Sequence, residues 1–323
     1  MASDSKNDAK FVVTGGAGFI GSTLVRTLLE RGKVVVIDNL LTGHEANLAD
    51  VRGKIEFHNL DICDAAALEP VIRGADTVFH LAAIPSVPRS IEDPVPSHEI
   101  NINGTFNVLS AAVRGKVRRV VYAASSSAYG DSEILPKTET MTPLPKSPYA
   151  VQKLLGEHYA AVFQSCYGLE TVSLRFFNVY GPRQDPTSAY SGVLSLFMKH
   201  LLARTSPTIF GDGEQSRDFT YVKNAVDANL LAAEAPAASG KVFNVANGKS
   251  ISINEVLEIL KRLTGRNEIK AEYAPPRGGD VRDSLADLEA ATAVLGYQPK
   301  VGLEEGLQLT LEWWKTSRFS RND

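Results

Sequence analysis

The stretch Phe11-Val12-Val13-Thr14-Gly15-Gly16-Ala17-Gly18-Phe19-Ile20-Gly21 decides how this chain is read. A short apolar run leads into three glycines at GxxGxxG spacing, and a helix-like segment follows. Gly15 permits the tight turn, Gly18 lets backbone approach a pyrophosphate, and Gly21 lets helix and strand pack closely. Backbone N–H groups at the helix start then form an anion site. Glycine-rich turns also arise for purely structural reasons, so the pattern needs support. A second apolar run, Val34-Val35-Val36-Ile37, supplies it by ending in Asp38. That is close to the roughly 20-residue offset at which an acid reaches the ribose of a dinucleotide. An acid there accepts bonds from both ribose hydroxyls and repels a 2′-phosphate, which favours NAD over NADP.

Outward from this motif, β-branched runs at 11–14, 34–37, 55–59, 77–80, 120–123 and 171–175 alternate with helical patterns at 20–31, 65–72, 105–114 and 149–167. The alternation predicts an α/β fold, a doubly wound parallel sheet of Rossmann type, with ligands outside the carboxyl ends of its strands. After about residue 180 the rhythm loosens: prolines at 182, 186 and 207 accompany isolated helical patterns at 193–203, 253–264 and 304–315. The expected division is an NAD-binding part over 1–180, with 215–248 returning to it, and a smaller mixed substrate-binding part over 181–214 and 249–323.

The 323 residues carry 34 basic and 37 acidic side chains, a net of −3 with no long run of either sign. Neither a nucleic-acid footprint nor a basic membrane face is indicated. No apolar stretch approaches the roughly 18 residues of a membrane span, and residues 1–10 lack the apolar core of a signal peptide. Cys63 and Cys166 have no metal-ligand or redox spacing, so no metal is expected. These features predict a cytoplasmic protein.

Tyr149 and Lys153, in Ser147-Pro148-Tyr149-Ala150-Val151-Gln152-Lys153, lie four apart and share a helix face. A phenol ionises near pH 10, and a cation one turn away, aided by a positive nicotinamide ring, is expected to lower that value towards neutrality. A surface Tyr–Lys contact is the plain alternative. The serine cluster Ser125-Ser126-Ser127, directly after the 120–123 strand, tips the balance. One hydroxyl there can bond a substrate oxygen and relay its proton to Tyr149, although such serines also satisfy loop backbone.

Together, TGGAGFIG, Asp38, His80-Leu81-Ala82-Ala83, the serines before Tyr129-Gly130, SPYAVQK and the segment from Arg175 to Pro182 resemble the extended short-chain dehydrogenase/reductases. Within them the chain is most similar to nucleotide-sugar 4-epimerases acting on UDP-glucose or UDP-N-acetylglucosamine. The resemblance implies a triad of Ser125, Tyr149 and Lys153. It implies cofactor contacts from Phe19, Ile20, Asn39, Gly43, Asp61, Ile62, Leu81, Ala82 and Ala83, besides the glycines and Asp38. For a UDP-sugar it implies Ser126, Asn178, Val193, Phe210, Arg217, Arg277, Asp280 and Ser284. Arginine is suited to the diphosphate because its fork binds bidentately.

Related branches that eliminate water or decarboxylate carry carboxylates after the catalytic Ser/Thr, where this chain has Ser126 and Ser127. Oxidation followed by reduction at one carbon remains. Ser284 stands where the simplest glucose/galactose epimerases resemble one another in a bulky tyrosine, so room for a 2-N-acetyl group is expected. Asp185 lies where glucuronate epimerases often carry a second arginine, which lowers UDP-glucuronate as a substrate. The alternatives left open are a UDP-glucuronate 4-epimerase, another NAD-dependent nucleotide-sugar enzyme of this fold, and a non-catalytic NAD-binding regulator. The resemblance also implies a homodimer through the helices at 105–114 and 149–167.

Overall fold

Apart from the run at 55–59, which forms a partly exposed edge strand, the β-branched runs form strands buried on both faces, as continuous apolar character requires of a parallel sheet. The computed structural model describes residues 9–185, 192–276 and 281–316. In chain order its first elements are β1 (Lys10–Thr14), α1 (Phe19–Leu28), β2 (Lys33–Asp38), β3 (Glu56–Asn59), α2 (Ala65–Ile72), β4 (Thr77–His80), α3 (Val87–Glu92), α4 (Pro94–His98), α5 (Thr105–Arg114), β5 (Arg119–Ser125), α6 (Pro148–Tyr167) and β6 (Glu170–Phe176). There follow β7 (Val179–Tyr180), α7 (Val193–Leu202), β8 (Thr208–Phe210), β9 (Ser216–Asp218), β10 (Thr220–Tyr221), α8 (Val222–Glu234), β11 (Lys241–Val245), β12 (Ser250–Ser252), α9 (Ile253–Thr264), β13 (Glu272–Ala274), α10 (Glu289–Leu295) and α11 (Leu303–Thr316).

Seven strands pair in the order β11-β6-β5-β4-β1-β2-β3, all parallel. The chain runs one way from β1 to β3 and the other way from β4 onwards, so a crevice opens between the carboxyl ends of β1 and β4. His80, the last residue of β4, spans that point. Its Nδ1 lies 2.7 Å from Thr14 Oγ1 and its Nε2 3.0 Å from Thr105 Oγ1. Thr105 donates its own proton to Asn101 O at 2.7 Å. It therefore accepts from Nε2–H, which leaves Nδ1 to accept from Thr14. Burial, with Lys153 adding to it, pushes the imidazole down to about 3, so it stays neutral in this role.

One apolar cluster packs α1, α8 and α10 on one face of the sheet, and a second packs α2 and α5 on the other. A third joins Phe197 and Met198 of α7, Val256 and Leu260 of α9, and Leu307 and Leu311 of α11. Around it stand three two-stranded ladders, β7 with β10, β9 with β12 and β8 with β13. The sequence pattern missed α3 and α4. Pro88 and Pro94 obscure their periodicity, yet both occupy first-turn positions, where a missing N–H costs nothing. Side chains of Ser86 and Asp93 cap the two helices by accepting from Arg89 N and Val95 N.

The α6–β6 contact holds a buried ion pair, Arg175 to Glu157, with N–O distances of 2.9 and 2.7 Å. Arg175→Met leaves Glu157 as an unpaired buried anion, and urea denaturation should show a loss of about 3–5 kcal/mol. Replacing both residues with apolar ones should cost less than that single change. Equal losses would contradict an electrostatic origin.

Candidate active site

A cavity of about 680 Å³ lies along the carboxyl edge of the sheet. Its first wall is the turn between β1 and α1. Gly15 has φ +71°, and a Cβ there would stand 2.7 Å from Ala82 N. A Cβ on Gly21 would stand 2.1 Å from Gly15 O, so only glycine allows α1 this close to the turn. Gly18 caps α1 without a side-chain acceptor, which leaves first-turn N–H groups available to an anion. Phe19, Ile20, Leu81, Ala82 and Ala83 line the cavity beside them.

At the end of β2, Asp38 is buried and accepts from Ala17 N at 2.9 Å and Leu40 N at 2.8 Å. Burial raises its carboxyl above the usual value, against the pull of those two donors. A Cβ on Gly43 would come within 2.9 Å of both carboxylate oxygens, so Gly43 keeps that face open. Asp61 accepts from Cys63 N and from Asn39 Nδ2. Burial pushes its carboxyl up, but those bonds outweigh it and leave it below the usual range. Asn39, Asp61 and Ile62 face the same cavity. An uncapped helix start, a glycine turn closed to any Cβ and a presented acid together fit a dinucleotide.

The opposite wall is built by β5 and α6. Ser147 caps α6 by accepting from Ala150 N at 3.2 Å, and Pro148 fills the first turn. Tyr149 N donates to Ser90 Oγ of α3 at 3.1 Å. Lys153 is buried, donates to Ala123 O at 2.6 Å and stands 4.9 Å over the ring of Tyr122. Gly156 makes room for that ring, since a Cβ there would meet Tyr122 Oη at 2.3 Å. Ser125, the last residue of β5, accepts from Ser127 N and Ser127 Oγ. Ser125, Ser126, Tyr149 and Lys153 all line the cavity.

The electrostatics differ from the expectation drawn from spacing. Burial raises the Tyr149 phenol above its ordinary value, and the opposing influence is its hydrogen bond with Ser125 rather than Lys153. Desolvation instead acts on the lysine: burial pushes Lys153 down to about 8, while Glu157 one turn on holds it up. In the protein alone, then, the phenol keeps its proton at neutrality.

On the remaining side, Asn178 has φ +36°, and its Nδ2 donates to Asp218 O at 2.9 Å. Buried Asp218, pushed up to about 6 by burial, accepts from the backbone N–H groups of Asn247, Gly248 and Ala286. Arg217 donates to Ser216 O and Arg282 O, both at 2.8 Å, and borders a second cavity of about 540 Å³ as well. Phe210 belongs to that second cavity, and Ser284 to the first. Val193 does not line either: the pitch of α7 turns it onto the third apolar cluster, and Gly192 faces the first cavity instead. Arg277 and Asp280 lie outside the described residues. Sequence reasoning missed Arg89, Lys137 and Gln184, which also line the first cavity. The Ser86–Pro88 helix start was a usable signal for Arg89; Lys137 is placed by backbone pairing with the distant segment around Ala286 and by Asn244 Nδ2.

A lysine depressed from 10.5 to about 8 destabilises the fold below pH 8, and that penalty fades as pH rises to 10.5, because the unfolded chain then holds the extra proton. Cofactor-free Lys153→Met should therefore be more stable than the parent at pH 7 by up to about 3 kcal/mol. The gain should shrink steadily above pH 8 in urea titrations. A difference independent of pH would contradict the burial argument.

Comparison with known proteins agrees with this geometry. The profile described as NAD dependent epimerase/dehydratase family matches residues 11–246. A UDP-glucose 4-epimerase of Mycolicibacterium smegmatis is 41% identical over 314 residues, covering 94% of this chain and 98% of the relative. The crystal structure of a Thermotoga maritima UDP-glucose 4-epimerase with UDP-glucose superposes with a TM-score of 0.90 at 39% identity, covering 95% of this chain and 99% of that one. A UDP-N-acetylglucosamine 4-epimerase from Methanobrevibacter ruminantium, in complex with UDP-N-acetylmuramic acid, gives 0.92 at 40% identity, with 96% and 99% covered. On sequence and fold alike, this chain belongs to the NAD dependent epimerase/dehydratase family.

Proposed function

We propose that this protein is a UDP-sugar 4-epimerase that interconverts UDP-glucose with UDP-galactose and UDP-N-acetylglucosamine with UDP-N-acetylgalactosamine. The observation that carries the reading is the convergence of Ser125, Tyr149 and Lys153 on the cavity that the glycine turn also lines, with hydroxyls rather than carboxylates at Ser126 and Ser127.

In this reading the glycine turn, Asp38 and Asp61 hold NAD, aided by the apolar wall of Leu81, Ala82 and Ala83. Bound NAD supplies a hydride acceptor, and its reduced form the donor, so net redox change is zero. Tyr149 takes the proton of the sugar 4-hydroxyl, directly or through Ser125, and returns it after the 4-keto sugar has turned over. The Lys153 ammonium stabilises charge on the phenol once that proton leaves. Asn178 and Arg217 anchor the UDP, with Arg277 and Asp280 assigned to the same task, and remote binding keeps the nucleotide fixed while the hexose swings. Phe210 borders the nucleotide end. Residues 1–180 with 215–248 form the cofactor part, and 181–214 with 249–323 the UDP-sugar part.

Ser284 supports the wider substrate range, since a small side chain on the cavity wall leaves space beside the hexose. A second copy of the chain is proposed to cover the outer face of α5 and α6, where Phe106, Val151, Val162 and Tyr167 are exposed.

Purified protein incubated with each UDP-hexose should reach an equilibrium mixture of C4 epimers resolvable by chromatography, without net NADH release. Tyr149→Phe should lower turnover by about 10²–10⁴-fold. Ser284→Tyr should abolish turnover of the N-acetylated pair selectively. Undiminished activity in Tyr149→Phe would remove the mechanism, and equal loss on both pairs in Ser284→Tyr would remove the size argument. Sedimentation of the parent as a dimer, and of Val162→Asp as a monomer, would support the assembly; a monomeric parent would refute it.

A further inference from the structure

Three buried charges lie in a row behind the Tyr149 wall of the cavity. Lys153 and Glu157 are one turn apart on α6, and Arg175 reaches Glu157 from β6. Tyr149 stands one turn before Lys153. Phenol, ammonium, carboxylate and guanidinium therefore alternate in sign once the phenol gives up its proton. Shielded from water, these charges act on one another more strongly than they would at a surface.

The bonding along the row is uneven. Arg175 Nε and Nη2 donate to the two oxygens of Glu157 at 2.9 and 2.7 Å. Its Nη1 finds no acceptor among the described residues, and its guanidinium carbon stands 4.6 Å over the ring of Tyr129. Lys153 gives its hydrogen bond to Ala123 O and makes no ion pair with Glu157 among the described residues. Glu157 thus meets the ammonium as a field and not as a contact. The other groups facing Lys153 add no charge near neutrality. Burial pushes the imidazole of His80, on β4, down to about 3 and the phenol of Tyr122, on β5, well above its ordinary value.

Resting on the epimerase reading, we propose that Glu157 and Arg175 are positioning residues for the acid–base step, both acting through Lys153. Glu157 keeps a negative charge facing the ammonium that must stay charged when Tyr149 loses its proton. Arg175 occupies both Glu157 oxygens, so the ammonium remains at Ala123 O beside the cavity and is not drawn along the helix into an ion pair.

The two residues should then move Lys153 in opposite directions, which a purely structural pair would not do. NMR of NAD-loaded protein with isotope-labelled lysine gives the Lys153 titration, assigned by the signal lost in Lys153→Met. The pH dependence of kcat for UDP-glucose gives the alkaline limb at which the ammonium is lost. Glu157→Gln leaves Lys153 facing Arg175 alone, and midpoint and limb should both fall by at least about one pH unit. Arg175→Met leaves Glu157 unneutralised; both should rise by a similar amount, while kcat falls about ten-fold or more as the ammonium leaves its place. Arg175→Lys should return limb and kcat towards the parent. Each variant is read where circular dichroism shows it folded. The double variant Glu157→Gln with Arg175→Met holds no lone charge and should give values between the parent and Glu157→Gln. If neither single variant folds, the double decides, and an unmoved midpoint in it overturns the proposal. Unmoved midpoints, or shifts of one sign in both single variants, would also overturn it and leave the epimerase reading standing. Opposed midpoint shifts in a protein that turns over no UDP-hexose would overturn the epimerase reading, and with it the part given to these residues in the acid–base step.

Discussion

A buried ammonium held by a single carbonyl organises this molecule. Lys153 reaches Ala123 O at 2.6 Å, which locks α6 against the carboxyl end of β5. Because the helix cannot rotate without breaking that bond, Tyr149, one turn earlier, is held at the cavity. The same carbonyl belongs to the strand that ends in Ser125. One short contact thus sets the relation between the phenol and the serine hydroxyl. Its cost is desolvation, visible in the lowered proton affinity of the lysine. Glu157 offsets part of that cost, and Arg175 in turn neutralises Glu157.

The crevice has a comparable device on its other flank. The order of the parallel strands reverses between β1 and β4, at His80, whose two ring nitrogens are both committed to threonine hydroxyls. A neutral imidazole is what this geometry requires, and burial secures it. The strands consequently stay in register where the glycine turn must meet Ala82, and the close approach that excludes any Cβ at Gly15 becomes possible.

Much of this was legible in the sequence because it rests on local rules. Period-two and period-3.6 patterns marked the strands and long helices, and glycine spacing marked the turn. The Tyr149–Lys153 pair followed from four-residue spacing. Beyond the cavity residues already noted, three things were not legible, each for a physical reason. Helices α3 and α4 were hidden by prolines that, placed in first turns, do no harm. The direction of the Tyr149 shift depended on burial, which spacing does not report. Val193 was assigned to the substrate wall, but the rotation of α7 faces it into the third apolar cluster.

Asp218 bears on how the chain can be divided. The family profile ends at residue 246, yet this buried carboxylate takes its donors from residues 247, 248 and 286. A fragment cut at the profile boundary would retain every strand of the large sheet while stripping an acid of all three amide donors inside an apolar surrounding. The unit that folds is accordingly longer than the span the family profile matches, and the tail beyond it is part of the foundation rather than an appendage.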